Sequence, residues 1–336
     1  MARRIRMADV AKAAAVSAMT VSRVLNKNPH VTEETRRLVL AVVEKLQYQR
    51  NELARSLREQ RTRQIGILIP NLFDPFFANC AHAVGIVAKQ HHYTVVIATS
   101  DEDPDDEFAE ARRMVNSHVE GIVVIPAGGS TSRLLSPEFY HMPLVTLDRP
   151  LNGSRWDSVL VQNKRGGLLA TEHLISLGHK RIACVSLGSH LYTMRMRQQG
   201  YRSAMTAAGL KVDVHSVTDT PETTYSVIRK LVESKRPPTA LFCTNNLITR
   251  HVLHALQSSN IHPPKPIALV GFDDFETAGL LQPGVTVVRQ PVELLGCAAA
   301  EALFARLAEG KRDSPPRCIV LPVELVVRGS CGTIQS

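Results

Sequence analysis

The chain has 336 residues, of which 40 are lysine or arginine and 31 are aspartate or glutamate, so its formal net charge is +9. That length is enough for two or three domains of ordinary size. The N-terminus lacks an apolar signal core and no apolar run approaches the roughly 18 residues of a membrane span, which argues against export or membrane insertion. Six scattered cysteines without a CxxC pair favour reduced thiols in the cytoplasm.

The positive charge is concentrated at the N-terminus. Residues 1–63 contain 14 lysines and arginines against 6 acidic residues, whereas the other 273 residues contain 26 against 25. This asymmetry is typical of a polyanion-binding headpiece on a neutral body. A basic tail that only adds solubility is the alternative, but a tail would lack the helical periodicity described next.

Residues 5–30 predict two short helices joined by a tight turn, at 7–14 and 17–26. Ser17 is placed to cap the second helix, and Val21, Val24 and Leu25 form an i, i+3, i+4 stripe that predicts one buried face. Small, flexible or cationic side chains lie off this stripe: Ala18, Met19, Ser22 and Arg23. Such a surface suits a helix pressed against base edges and phosphates. An ordinary helical hairpin with a solvated face is the alternative.

A third helix is predicted at 33–46, with Thr32 as its cap, so residues 1–48 form a helix-turn-helix headpiece. Residues 49–63 are polar, basic and helical in composition, but too short to form a stable helix alone. They are either a solvated linker helix or a hinge that folds on DNA. In the second case Leu57 is available to wedge between base steps in the minor groove.

Residues 5–57 resemble the headpiece and hinge of the lactose-repressor family of bacterial transcription regulators. The motifs that carry the resemblance are DVA at 9–11, VS at 16–17, TVSRVLN at 20–26, VTxxTR at 31–36, Tyr48 and NxxARxL at 51–57. The resemblance implies that the second helix enters the major groove, where Ala18, Met19 and Arg23 read bases. It also implies that Leu57 inserts into the centre of a palindromic operator. The implied DNA contacts are Arg6, Ser17, Ala18, Met19, Thr20, Ser22, Arg23, Asn26, His30, Asn51, Ala54 and Leu57.

Two positions of the headpiece and hinge depart from the family pattern. Ala15 stands where the family has glycine in the turn, and a left-handed conformation there costs about 1 kcal/mol without glycine. Arg50 stands where the family has proline before the hinge, which removes a stiff joint and adds a cation near the DNA.

From Gln64 onward, short apolar strands alternate with helices, which predicts parallel sheets covered on both faces. Strands are predicted at 65–70, 94–99, 121–125, 144–147, 181–186, 240–244 and 267–272. Helices are predicted at 76–90, 104–116, 163–177, 196–208, 247–260 and 292–309, with a further element at 223–233. More than 260 residues of this pattern indicate two α/β lobes, whose ligands are expected at the carboxyl ends of the strands.

The loops after these strands resemble the effector-binding core of the same family, which has the two-lobed fold of periplasmic sugar-binding proteins. The motifs include LDRP at 147–150, CTNN at 243–246, VGFDDF at 270–275 and VRQP at 288–291. The resemblance implies a pocket lined by Asn71, Phe73, Phe76, Phe77, Asp148, Arg197, Asn245, Asp273 and Gln290. Carboxylates and amides bind sugar hydroxyls, an arginine fork clamps two oxygens, and aromatic rings cover the apolar face of a sugar.

The predicted pocket also departs from the family pattern. Gln162 and Asn246 are amides where the family has carboxylates, and Arg149, Arg195 and Arg197 are expected to crowd the same cleft. These changes favour an anionic effector such as a sugar acid or a sugar phosphate. The alternative is that Gln162 and Asn246 only cap helices outside the pocket.

The predicted organisation is a headpiece at 1–48, a hinge at 49–63 and a two-lobed domain at 64–336. Lobe 1 is expected at about 64–161 plus 290–320, and lobe 2 at about 162–289 plus 321–336. The predicted function is a ligand-controlled, operator-binding repressor; a solute-binding protein of the same fold is the alternative. The final residues GSCGTIQS carry no leucine-heptad helix of the kind that tetrameric family members append, so a homodimer is expected.

No enzyme, cofactor or metal site is predicted. The chain has neither a GxSxG nor a GxGxxG motif. His251 with His254 and His91 with His92 are close in sequence, but no further ligands accompany them.

Overall fold

A computed structural model describes residues 5–26, 28–48, 61–128, 133–151, 155–309 and 315–332. The chain divides into two compact units, Met1–Thr62 and Arg63–Ser336. The predicted hinge residues 49–60, which include Arg50, lie outside the described residues. Across the described ranges, every helix is too short or too polar to cross a membrane.

The described residues of the N-terminal unit form three helices: α1 (Met7–Ala13), α2 (Ala18–Leu25) and α3 (Glu33–Lys45). Their shared core contains Val10, Ala11, Ala14, Val21, Val24 and Val39. Ser17 caps α2 by accepting a hydrogen bond from the Thr20 amide at 3.1 Å, and Thr32 caps α3 in the same way. The predicted helices and caps of the headpiece are therefore present, and each cap satisfies an amide that the first helical turn leaves unpaired.

Ala15, in the turn between α1 and α2, has φ 51°. This is the left-handed conformation that the family's glycine at the same position implies. We expect Ala15→Gly to stabilise the N-terminal unit by about 1 kcal/mol, since glycine adopts this region without a Cβ clash. Hydrogen exchange of the α1 and α2 amides in the full chain measures the effect. Ala14→Gly is the matched control: Ala14 has φ −88° and is buried, so glycine there should accelerate exchange. Slower exchange in both variants would contradict the conformational explanation.

The C-terminal unit contains two six-stranded sheets. The strands of the first sheet are β1 (Gln64–Ile69), β2 (Thr94–Thr99), β3 (Ile122–Val124), β4 (Leu144–Leu147), β5 (Asp157–Val161) and β11 (Cys318–Leu321). Those of the second are β6 (Ile182–Leu187), β7 (Val214–Val217), β8 (Ala240–Cys243), β9 (Ala268–Phe272), β10 (Thr286–Arg289) and β12 (Glu324–Val326). The first sheet has the order β11-β5-β4-β3-β1-β2 and the second β12-β10-β9-β8-β6-β7. All neighbouring strands are parallel except β10 and β12.

Helices cover both faces of each sheet. They are α4 (Pro75–Gln90), α5 (Pro104–Asn116), α6 (Asn163–Ser176), α7 (Tyr192–Ala207), α8 (Pro221–Val232), α9 (Asn246–Ser258) and α10 (Val292–Glu309). In the first lobe, α4 and α10 pack on one face and α5 on the other. In the second lobe, α8 and α9 pack on one face and α6 and α7 on the other. This is the predicted doubly covered, two-lobed architecture.

Several elements differ from the sequence prediction. The strands β5, β7, β10, β11 and β12 are absent from the sequence prediction. β7, β11 and β12 are incompletely buried, whereas β5 and β10 are mostly buried but begin with a polar residue. Helix α7 begins at Tyr192 rather than Met196, and its N-cap Leu191 provides no side-chain hydrogen bond that would mark the start. Two of these strands lie beside strands that end at an aspartate. β5 pairs with β4, which Asp148 follows, and β10 pairs with β9, which Asp273 follows.

The chain crosses between the lobes three times. The crossings join β5 to α6, β10 to α10 and β11 to β12. Lobe 1 therefore combines residues 64–161 with α10 and β11. Lobe 2 combines the elements from α6 to β10 with β12. The carboxyl ends of the parallel strands in both lobes border the cleft between them.

Candidate functional site

A cavity of about 450 Å³ lies between the two lobes, a volume within the range of about 300–1,000 Å³ typical of small-molecule sites. Both lobes contribute to its lining. The lining residues are Asn71, Asp74, Phe76, Phe77, Glu102, Asp148, Arg149, Leu187, Gly188, His190, Leu191, Thr193, Met194, Arg197, Val217, Thr218, Asp219, Asn245, Leu247, Asp273 and Gln290. The cavity thus lies where the parallel-sheet topology predicts a ligand.

Two aspartates occupy matching positions in the two lobes. Asp148 follows β4 directly, and Asp273 follows β9 directly. Each donates its amide to the neighbouring strand, to the Val159 and Val288 carbonyls at 2.8 Å. Each also has a left-handed backbone, with φ 64° and 68°. Such conformations persist where surrounding contacts impose them, and they cluster at functional sites.

The aspartates leave acceptor atoms for a ligand. Asp148 is 3% exposed, and its Oδ1 has no hydrogen-bond partner among the described residues. Its Oδ2 lies 3.6 Å from the Arg149 Nε. Burial raises the pKa of Asp148 to about 6, although Arg149 opposes the shift. Gln290 donates its Nε2 to Asp273 Oδ1, while its own buried Oε1 has no partner in the described part of the chain.

Arg197 is held inside lobe 2. Its Nε donates to Asn163 Oδ1 at 2.8 Å, and its Nη1 donates to the Thr244 carbonyl at 2.8 Å. The same Nη1 lies 3.3 Å from Asp273 Oδ2, and the guanidinium stacks 3.7 Å over the Phe272 ring. Most of its hydrogen-bonding capacity is therefore used by the protein, which makes Arg197 as much a structural residue as a ligand clamp.

Arg149 is held inside lobe 1. Its Nη1 and Nη2 donate to the two Glu102 carboxylate oxygens at 2.5 and 2.7 Å, and Nη1 also donates to the Pro126 carbonyl at 2.9 Å. This is the bidentate geometry in which arginine binds carboxylates most strongly. The Glu102 partner was not predicted, because nothing in its local sequence distinguishes it from a solvated loop residue.

The cavity brings together every pocket residue that the sequence implied except Phe73. Phe73 is 91% exposed and does not line the cavity, although its amide donates to the Oδ1 of Asn71, which does. Asp74, Thr193 and Asp219 also line the cavity and are not among the predicted pocket residues. For Asp74, the helix N-cap before a proline was a usable signal, since it places the carboxylate at the start of α4.

The two amides that depart from the family pattern, Gln162 and Asn246, and the cation Arg195 do not line the cavity. Arg195 is exposed and lies over the Tyr192 ring, so it does not crowd the cleft. Gln162 precedes α6 and lines a separate surface depression. Asn246 donates to Asp74 Oδ1 at 2.8 Å, which is a hydrogen bond between the lobes. Neither amide therefore lines the cavity, but neither side chain caps a helix: Gln162 makes no cap hydrogen bond, and Asn246 bonds to Asp74 instead.

In the N-terminal unit, the predicted DNA-reading face of α2 is open to solvent. Ala18, Met19 and Arg23 are exposed, and the Met19 side chain reaches 65% exposure. The other implied contacts of this unit are exposed or half-buried: Arg6, Ser17, Thr20, Ser22, Asn26 and His30. The implied hinge contacts Asn51, Ala54 and Leu57 lie outside the described residues. Within the described ranges, acidic, histidine and cysteine side chains form no group that would hold a metal ion.

Comparisons with known proteins match both units. A model of bacterial regulatory proteins of the lacI family matches residues 6–51, and a model of a periplasmic binding protein-like domain matches residues 171–331. An HTH-type transcriptional repressor PurR of Aliivibrio fischeri (strain MJ11) is 32% identical over 329 residues, which cover 96% of this chain and 97% of that protein. A PurR repressor of Mannheimia succiniciproducens is 31% identical with the same coverage.

Solved structures show the same architecture. A lac repressor dimer bound to operator and the anti-inducer ONPF superimposes with a TM-score of 0.87 at 24% identity, covering 98% of this chain and 100% of that one. A complex of the transcriptional regulator CelR with cellobiose has a TM-score of 0.71 at 28% identity, with coverage of 97% and 100%. At these identities over nearly the full length of both sequences, the chain belongs to the lacI family of bacterial regulatory proteins, and it is a DNA-binding transcription regulator rather than an enzyme.

Proposed function

We propose that this regulator is a repressor that binds a palindromic operator as a homodimer in the cytoplasm, and that a neutral sugar in the cavity controls its operator affinity. The PurR relatives are repressors by name, and the lac repressor of the same fold was crystallised as a dimer on operator DNA. The proposed mechanism is that ligand-dependent closure of the lobes changes the hinge segments of the dimer. Operator affinity then follows ligand occupancy, which is coupling between two sites through a bistable element.

The ligand class rests on the unpaired acceptors in the cavity. Asp148 Oδ1 and Gln290 Oε1 are buried acceptors without partners among the described residues, against one such donor in the lining, Arg149 Nε, which favours a ligand that brings donors. Sugar hydroxyls donate hydrogen bonds, whereas an ionised carboxylate or phosphate only accepts them. Phe76 and Phe77 supply the apolar surface that a sugar ring needs.

The charge of the cavity supports a neutral ligand over the anionic one that the sequence favoured. Its lining has five carboxylates, Asp74, Glu102, Asp148, Asp219 and Asp273, against two guanidiniums, Arg149 and Arg197. Both guanidiniums already contact carboxylates of the protein. The 28% identical CelR was solved with cellobiose, a neutral sugar.

Thermal-shift measurements on the purified full chain test the ligand class. Neutral monosaccharides and disaccharides are compared with sugar acids and sugar phosphates at equal concentrations. A bound ligand raises the melting temperature progressively as its concentration exceeds the dissociation constant. We expect a neutral sugar to give the largest shift and to change affinity for operator DNA. A larger shift with an anion would reject the neutral class, and a sugar response without any DNA binding would favour a solute-binding protein.

The DNA-reading role of α2 is tested at Arg23. We expect Arg23→Ala to weaken operator binding by about 1–3 kcal/mol and to relax the preference at one base pair, because arginine pairs bidentately with guanine. Fluorescence anisotropy against single-base operator variants measures both effects. Arg37→Ala, at an exposed arginine of α3, is the control and should leave base preference intact. An unchanged preference in the Arg23 variant would remove this residue from the reading face.

A further inference from the structure

We propose that Glu102 determines the charge class of the effector: by holding the Arg149 guanidinium, it keeps anionic sugars out of the cavity. The inference rests on the proposed sugar-binding function and adds a specificity-determining residue outside the implied pocket set. The observation that carries it is the bidentate Glu102–Arg149 pair in the cavity wall.

The pair occupies the donors that an anion would use. Arg149 has a side chain only 7% exposed, and both of its terminal nitrogens donate to Glu102. Nη1 donates in addition to the Pro126 carbonyl, and Nε faces Asp148. An incoming carboxylate therefore finds both terminal nitrogens of Arg149 paired with Glu102, and its Nε buried beside a second carboxylate, Asp148. To use a terminal nitrogen it must displace Glu102 from a mostly buried ion pair, which leaves charges unpaired in a poorly solvated wall.

The backbone holds Glu102 in this place. Asp101 and Glu102 are consecutive residues with left-handed conformations, φ 47° and 63°. Their turn is closed by hydrogen bonds from the Asp101 amide to the Pro70 carbonyl and from the Asp103 amide to the Ser100 carbonyl, both 2.8 Å. Two adjacent non-glycine residues in this region are unfavourable, so the conformation persists because these contacts impose it. Glu102 is therefore presented to Arg149 by a specific turn.

The second guanidinium of the cavity is partly engaged by the protein. Arg197 donates through Nε and Nη1 to Asn163, the Thr244 carbonyl and Asp273, so its charge is already compensated by a carboxylate. An anionic ligand would also meet three further carboxylates of the lining, Asp74, Asp148 and Asp219. Removing the Glu102 charge changes this balance at one point only, since it leaves the Arg149 charge without its carboxylate partner while every other lining group keeps its charge.

A purely structural role for the pair would predict a different result. In that case Glu102 only connects the loop after β2 to the loop after β4. Its loss would lower the stability of the fold and would lower the affinity for every ligand by a similar factor. A determinant of charge class instead changes the ratio of affinities for an anion and its neutral counterpart. This ratio separates the two roles, because a general loss of stability cancels from it.

The test compares matched neutral and anionic probes in the full-length protein. The pairs are D-glucose with D-gluconate, D-galactose with D-galactonate and D-ribose with D-ribonate, measured by isothermal titration calorimetry. Wild-type protein is expected to bind a neutral member at least about tenfold more tightly than its aldonate. Glu102→Gln keeps the size and one acceptor oxygen but removes the charge. We expect it to bind an aldonate about tenfold more tightly than wild type does, the effect of one charge-assisted hydrogen bond.

Two further variants identify the cause of such a gain. Glu102→Gln combined with Arg149→Gln should lose it, because the freed guanidinium is gone. Asp219→Asn removes a negative charge from the same lining without releasing an arginine, so it should not produce the gain. An equal gain with Asp219→Asn, or a gain that survives loss of Arg149, would overturn the proposal in favour of a general charge effect.

The remaining outcomes are also decisive. Circular dichroism establishes whether Glu102→Gln is folded, and Glu102→Ala replaces it if it is not. A folded variant without an aldonate gain overturns the proposal, as does a wild-type protein that binds an aldonate as tightly as its neutral partner. If wild type binds no neutral sugar while the Glu102 variant gains aldonate binding through Arg149, the proposed effector class fails and the role of Glu102 stands.

Discussion

Replacing Arg197 with methionine should lower the free energy of unfolding of the full chain's C-terminal unit by about 3–5 kcal/mol. The guanidinium is 2% exposed and contacts Asp273, Asn163 and the Thr244 carbonyl. Methionine fills much of the same space over the Phe272 ring, but it leaves the Asp273 carboxylate and two other acceptors without their donor. Urea unfolding followed by circular dichroism measures the loss.

Arg195→Met on the same helix is the matched control. Arg195 is exposed and contacts the Tyr192 ring at 5.8 Å, so its replacement should change stability by less than about 0.5 kcal/mol. Equal losses in the two variants would show that the buried network is not the cause. The comparison also bears on function, because effector binding by the Arg197 variant has to be measured at a temperature where that variant remains folded.

Replacing Asp148 with asparagine should act in opposite directions on stability and on ligand binding. Burial raises the pKa of Asp148 to about 6, so above that pH the folded protein carries a carboxylate that its surroundings disfavour. Asparagine tolerates the left-handed backbone at this position and carries no charge. We expect the ligand-free variant to be more stable than wild type by about 2–3 kcal/mol at pH 8. Its affinity for a neutral sugar should fall about tenfold, since hydrogen bonds to charged acceptors are stronger.

The pH dependence of stability gives an independent check on this explanation. In wild type the folded-state pKa lies above the value for an unfolded aspartate. The contribution of Asp148 is therefore fully present below about pH 4 and is lost as the pH rises through about 6. The Asp148→Asn variant should lack this component. Asp219→Asn is the control, because Asp219 is exposed and lines the same cavity. If the Asp148 variant is less stable than wild type at pH 8, the buried charge is not destabilising.

Sequence reasoning was most accurate where local chemistry decides the structure. Ser17 and Thr32 cap their helices, and Val21 and Val24 form the buried stripe of α2. The family's glycine position correctly indicated a left-handed residue at Ala15. Reasoning from the local sequence failed for β7, β11 and β12, because these edge or near-edge strands are short and incompletely buried. Their pairing is decided by the neighbouring strand rather than by their own residues.

In the cavity too, the local sequence predicted which residues lie there, whereas the tertiary structure decided how they pair. Strand ends in a parallel sheet converge, so the residues after β4, β8 and β9 were predicted to face a common cleft, and Asp148, Asn245 and Asp273 line one cavity. The motifs that carry the family resemblance do not show which residues pair with these groups. Arg149 was expected to attract an anion, yet Glu102, 47 residues earlier in the chain, already neutralises it.

The sequence alone was sufficient to determine the basic headpiece, the alternation of strands and helices, and the family, because charge, caps and periodicity are properties of neighbouring residues. Only the tertiary structure decided which charges are available to a ligand. Hydrogen-bond partners such as Asp74 and Asn246 are 172 residues apart and come from different lobes. Their pairing depends on how the two sheets are placed across the cleft, and spacing along the chain carries no information about that distance.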